Sequence, residues 1–275
     1  MNERINTTKM NESDGAKTTD SAKPTDSTVK KNKTYKLRAF WTFFKTEFKL
    51  SLRNMNMVIF AIFMPLVLLA VFGFIYGTKQ GFPGEIFASL CGVSICAGGL
   101  MGLPLVVSEY REKKILKRFK VTPVSPLTLL AAECAVYFLY SFVSLLTLFC
   151  AALVLKVKIA GSVPVFLGSW LLTLVSTMSL GMLAGGTAKN TKSAGVMASI
   201  LYFPMLVFSG ATVPVEIMPE ALQKAVSVFP LAQGISLMKQ SFAGLPKENM
   251  AVPLVSMGAL TVLCAALSVK FFKWE

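Results

Sequence analysis

Long apolar runs alternate with short polar segments along most of the chain. Six runs, at about 57–77, 86–108, 127–155, 163–188, 194–213 and 252–272, are close to or above twenty residues long and carry almost no charge. Crossing the roughly 30 Å hydrocarbon core of a bilayer takes about 20 apolar residues as a helix. Each run is therefore a predicted transmembrane helix. In lipid a spanning segment must satisfy its own backbone polar groups. The pattern thus predicts an all-α integral membrane protein with six transmembrane helices.

The segments outside these runs have characters of their own. Residues 1–34 are rich in Thr, Lys, Asp, Ser and Asn and hold almost no large apolar side chain, so they are predicted to be a disordered tail. No apolar core closely follows the first charges, so a secretory signal peptide is not expected. From Tyr35 to Arg53, Leu37, Phe40, Trp41, Phe44, Phe48 and Leu52 form one helical stripe, and Arg38, Lys45, Lys49 and Arg53 fall largely elsewhere. That pattern describes an interfacial helix in the headgroup region, or simply the flank of the first run. The domain division is a tail over 1–34 and a transmembrane domain over 35–275. Residues 214–250 are only mildly apolar and are broken by Pro214, Pro219 and Pro230 among Glu216, Glu220 and Lys224. They are expected to form one or two short helices on the outer side, dipping into the bilayer before the last run.

Between the second and third runs lies a charged island, Glu109 to Pro126, EYREKKILKRFKVTPVSP. Arg111, Lys113, Lys114, Lys117, Arg118 and Lys120 outnumber Glu109 and Glu112. The positive-inside tendency places this island in the cytoplasm. Six spans then put both termini on the cytoplasmic side, with 22 of the 28 basic residues. Within the island Tyr110, Ile115, Leu116 and Phe119 recur near helical spacing, and Pro123 and Pro126 stop the pattern. Two readings follow, a short amphipathic helix that docks a partner and a solvated loop that only fixes orientation.

Composition narrows the function. The 275 residues are 54% hydrophobic and 15% charged, with mean hydropathy +0.61, too apolar for a soluble domain of this length. The net charge of +14 gathers at the ends of apolar runs, which suits anionic lipid better than nucleic acid. Cys91, Cys96, Cys134, Cys150 and Cys264 all fall inside apolar runs and read as small packing residues. There is no histidine, which removes the commonest general base and metal ligand. After the fourth run, GGTAKNTKS lacks the glycine that a phosphate-binding loop needs before lysine, because Thr191 stands there. Glu133, two turns into the third run, is the one acid within the spans and a candidate functional carboxylate. Gly98 with Gly102, and Gly181 with Gly185, are small-residue pairs that let helices approach closely in lipid.

Two stretches together resemble the membrane subunit of an ABC transporter of the ABC-2 permease type, the class of drug and polyketide exporters. One is the charged helix after the second span, with Glu109, Arg111, Glu112, Leu116, Lys117, Arg118 and Phe119 leading into Thr122, Pro123, Val124 and Ser125. The other follows the fifth span, with Ser209-Gly210, Pro214, Met218-Pro219, Leu222-Gln223 and Phe229-Pro230-Leu231. The likeness covers residues 35–275. Where members commonly carry a small pair such as Gly-Thr, this chain has Lys114-Ile115.

The resemblance implies that the charged helix is a coupling helix, seated on a separate cytoplasmic ABC ATPase that binds ATP and Mg. No cofactor is expected on this chain, which carries no ATPase motif and is not itself an enzyme. A second permease copy, identical or paralogous, and membrane lipid are the other expected partners, with nucleic acid excluded. The 214–246 segment, with Pro214, Glu216, Pro219 and Pro230, resembles the family's extracellular gate helices. The expected function is export of a lipophilic or amphipathic compound across the plasma membrane. Export of a polysaccharide or glycolipid, and a non-transporting immunity or binding role, are the alternatives.

Overall fold

Every regular element among the described residues of the computed structural model is a helix. These residues are 26–53, 59–76, 84–119, 125–155, 157, 160–210, 218–244 and 250–271. Met1–Tyr35 and Lys36–Glu275 form separate units. Helix α1, Asp26–Arg53, begins earlier than the expected Tyr35. Residues 1–25 of the expected tail lie outside the described residues.

The apolar runs appear as helices in order. A π turn, Ile59–Phe63, continues into Met64–Tyr76 to make α2. Then come α3, Gly84–Glu112, with its own π turn at Ala97–Gly102, and the single-turn α4, Ile115–Phe119. They are followed by α5, Pro126–Val154, α6, Val163–Thr187, and α7, Thr191–Phe208. Two short helices, α8, Glu220–Val226, and α9, Pro230–Ala243, precede α10, Ala251–Phe271. By length and hydropathy α3, α5, α6, α7 and α10 can each cross a membrane, and α2 contributes the shorter apolar helix Ala61–Ile75. The protein is an all-α integral membrane protein.

Both π turns precede a proline. Proline has no N–H to give the carbonyl four residues back, and its ring crowds that carbonyl. A wider turn accommodates the ring, at Pro65 in α2 and at Pro104 in α3. The Ala61 carbonyl, which Pro65 cannot serve, accepts instead from the Ser94 hydroxyl of α3 at 2.9 Å.

Helix α3 is the axis of the bundle. Its apolar window is 83% buried by other helices, against 17% for α7 and for α10, which leaves those two helices open for lipid. Apolar burial does not drive helix association within lipid, so close backbone approach has to. A Cβ on Gly181 would lie 1.9 Å from the Gly99 carbonyl oxygen, and one on Gly185 would lie 2.8 Å from that of Pro104. The Gly181–Gly185 pair therefore seats α6 on α3. Gly98 does not share this role, because a Cβ there would meet Tyr137 of α5 at an ordinary 3.6 Å. On α3 it is the neighbouring Gly99 that is tight, against Thr177.

At the end of α3 away from the island, α9 is inserted among the helices. Its Phe242 stacks on Phe87 of α3 with centroids 4.5 Å apart. Gly234 admits the Thr173 side chain of α6, which a Cβ would meet at 2.2 Å. Gly244, at φ 66°, closes α9 in the left-handed conformation that glycine adopts freely. The last carbonyls of α9 are satisfied from outside the helix, by Gly161 N–H on Phe242 at 3.0 Å and Ser162 N–H on Ser241 at 2.9 Å. These are the expected short helices before the last run. Pro219 precedes α8 and Pro230 opens α9, where a missing N–H costs nothing. Pro214 and Glu216 lie outside the described residues.

Candidate functional site

The island is two helical pieces rather than the single amphipathic helix expected of it. The second apolar run does not end at Ser108, because α3 continues to Glu112 before the chain turns at Lys113 and Lys114. Lys113 N–H bonds the Glu109 carbonyl and Lys114 N–H that of Arg111, both at 2.9 Å. Lys114 takes φ 55°, a left-handed conformation that costs a side chain about 1–2 kcal/mol. The break lets Leu116 reach the core, where it is 1% exposed, and sets Phe119 edge-on to Phe43 of α1 at 5.3 Å. No glycine or proline marks it, so the local sequence predicts an uninterrupted helix. Pro126 is the first residue of α5, whose cap is Ser125, and so belongs to the next helix rather than ending this one. Pro123 lies outside the described residues.

The expected coupling residues divide by direction. Tyr110, Arg111 and Leu116 are buried, Ile115 and Phe119 half-buried, and Glu112, Lys113, Lys114, Lys117 and Arg118 exposed. Glu109 pairs with Lys113 one turn away, and its carboxylate holds the Lys113 ammonium pKa above its ordinary value. An exposed pair of this kind adds little stability.

Two consecutive residues of the island fasten it to the α6–α7 turn. The Arg111 guanidinium donates through one nitrogen to the carbonyls of Gly185, at 3.2 Å, and Ala188, at 2.5 Å. These are carbonyls at the C-terminal end of α6, the negative end of its dipole. The Glu112 carboxylate accepts from Thr191 N–H at 2.8 Å and from the Thr191 hydroxyl. This is the N-terminal, positive end of α7. Cation and anion thus each meet the helix end of opposite sign.

The GGTAKNTKS stretch supplies the other half of this joint. Gly185 gives the close approach to α3. Asn190 and Ser193 form a reciprocal cap on α7, in which Asn190 Oδ1 accepts from Ser193 N–H at 2.8 Å and Ser193 Oγ accepts from Asn190 N–H at 3.1 Å. Its polar residues serve packing and capping, and α7 accordingly begins at Thr191 rather than at the expected Ala194.

Glu133 is enclosed by protein, at 3% exposed. The Tyr110 hydroxyl donates to its Oε2 at 3.5 Å. Glu47 of α1 faces the same hydroxyl. Burial raises the Glu47 carboxyl pKa, with the Tyr110 hydrogen bond pulling the other way. A cleft of about 620 Å³ opens beside Glu47, Tyr110, Val106 and Ile115. Sequence reasoning passed over Glu47, although the one acid in the basic stretch from Tyr35 to Arg53 was a usable signal.

The match to known proteins follows the same elements. The ABC-2 type transporter family matches residues 38–243, from α1 to the end of α9. The chain belongs to this family. It is therefore an ABC-2 permease subunit, a membrane component of a transporter. Similar proteins include the "Inner membrane transport permease YhhJ" of Escherichia coli (strain K12), 27% identical over 158 residues. That match covers 56% of this chain and 41% of the relative, so the permease described here spans less than half of YhhJ. "Nodulation protein J" of Rhizobium leguminosarum bv. viciae is 30% identical over 100 residues, 36% of each chain. "Nodulation protein J" of Neorhizobium galegae is 32% identical over 101 residues, 37% of this chain and 36% of the relative.

Proposed function

We propose that this ABC-2 permease subunit works in an ATP-driven exporter that moves a lipophilic or amphipathic compound across the plasma membrane. A separate ATPase chain binds ATP and Mg and seats on the exposed basic residues of the island, Lys113, Lys114, Lys117 and Arg118. A second permease copy completes the path, and both termini lie in the cytoplasm. The observation that carries this reading is the joint at the island. Residues that face solvent continue directly into Arg111 and Glu112, which grip the ends of α6 and α7. A push on the exposed face therefore reaches two transmembrane helices through one short rigid connection. ATP moves such a complex only if it binds one arrangement of the helices better than the other.

Lys117 and Arg118 are the residues to reverse, since both are exposed and neither fastens the bundle. Charge reversal of the pair (K117E, R118E) is expected to leave the helices folded while the ATPase no longer co-purifies, or hydrolyses ATP without export. Unchanged co-purification together with unchanged ATP-driven uptake into inverted vesicles would overturn the docking site.

A further inference from the structure

At the end of the bundle opposite the island, α8, α9 and the start of α10 enclose a pocket of about 420 Å³. Ligand sites commonly fall in this size range. One wall is apolar, formed by Val226, Ala232, Ile235, Val252 and Pro253. The other is polar, with Ser209, Gln223, Ser227, Gln233, Ser236 and Lys239, and no carboxylate among the described residues lines the pocket.

The hydrogen bonds on the polar wall leave several donors unspent. Lys239 Nζ gives one of its three N–H groups to the Gly210 carbonyl, at 3.0 Å. Ser236 Oγ accepts from Gln240 at 3.3 Å, so its own O–H remains to donate. Gln223 and Gln233 each spend one amide N–H, on the carbonyls of Met218 at 2.8 Å and Ser227 at 2.7 Å. The Gln233 side-chain oxygen is already taken by Ser256, at 2.7 Å. Ser236 and Lys239 are three residues apart on α9 and so share a face. The wall thus carries unspent N–H and O–H groups around one cation, with no acid among the described residues to neutralise it.

We infer that this pocket holds the anionic head of an amphiphile, a phosphate or carboxylate accepting from Lys239 and Ser236, with its tail along Val226, Ile235 and Val252. The inference concerns binding alone and does not rest on the export reading. A negative result on either leaves the other standing.

The test uses the full chain in detergent, stripped of lipid and titrated with dioleoyl phosphatidylglycerol or dioleoyl phosphatidylcholine, with adducts resolved by native mass spectrometry. The wild type is expected to take up one phosphatidylglycerol in preference to phosphatidylcholine. K239Q keeps a donor for the Gly210 carbonyl but loses the charge, and should bind it about tenfold more weakly, since a hydrogen bond to a charged group contributes on that scale. S236A should weaken it less, and K239R should restore it. Equal uptake of both lipids by the wild type, or undiminished phosphatidylglycerol on folded K239Q, would overturn the proposal. Inorganic phosphate that binds with the same Lys239 dependence while the lipid does not would replace the amphiphile by a small anion.

Discussion

The two ends of α3 are held in different ways. Away from the island, Phe87 stacks on Phe242, and α9 fits against α6 only because Gly234 leaves room for Thr173. At the island end the fasteners are a guanidinium and a carboxylate on the ends of α6 and α7. Packing of the first kind resists change until a side chain no longer fits. Bonds of the second kind are few and directional, and they depend on charge. If an ATPase docks at the island as proposed, the end that takes its force is the one held by the second kind.

Between the two ends, the α3–α6 seam sets the largest expected effect. G181V places a Cβ 1.9 Å from the Gly99 oxygen, so the helices must separate. A loss above about 4 kcal/mol, enough to abolish the folded state, is expected from a clash between two backbones. Gly168 provides the control, because a Cβ there meets nothing within 4 Å and G168A should melt no lower than the wild type. Thermal unfolding in detergent separates the two outcomes. If G181V folds normally, the two helices are not seated on one another as described.

The island joint should respond more mildly and more selectively. R111M leaves the carbonyls of Gly185 and Ala188 without the donor seen here, and is expected to cost about 2 kcal/mol. R111K should recover part of this, since an ammonium still suits a helix C-terminus. E112Q keeps an acceptor for Thr191 and loses its attraction to the α7 dipole and to Lys192 and Lys113 nearby, so its melting temperature should fall less than that of R111M. The comparison between the ends is sharpened by salt. A variant losing one of these charges should narrow its gap from the wild type as ionic strength rises, whereas a variant of the α9 packing should not. A gap that stays constant in salt for E112Q would argue that the exposed carboxylate acts by shape alone.

How much of this was legible in the sequence differs along the same axis. The apolar runs over 127–155 and 163–188 lie within a residue of α5 and α6, because twenty apolar residues in lipid leave the chain few alternatives. The inward face of the island was also readable from the spacing of Tyr110, Leu116 and Phe119. The break at Lys113 and Lys114 was not, since no local signal opposes a helix there and the turn is imposed by where Leu116 packs. Nor could Arg111 and Glu112 be separated from their exposed neighbours. Their partners lie 74 to 79 residues further on, and charge along a chain does not say which charges turn inward. Asn190 three residues before Ser193 was a readable cap signal that would have moved the start of α7 to Thr191.

The smallest expected effect tests whether the island turn is strained. Lys114 holds φ 55°, where a Cβ crowds the backbone and glycine is at ease. K114G removes about 1–2 kcal/mol of that crowding. Against this, glycine loses roughly 0.5–1 kcal/mol more backbone entropy on folding. The net expectation is a gain of about 0.5 kcal/mol, seen as a small rise in melting temperature. K114A, which keeps a Cβ, should show no such gain. The pair isolates the backbone from the lost charge, because both variants remove the same ammonium. A rise common to K114G and K114A would assign the effect to charge repulsion among Lys113, Lys114 and Lys117. A rise confined to K114G would show that this joint carries backbone strain.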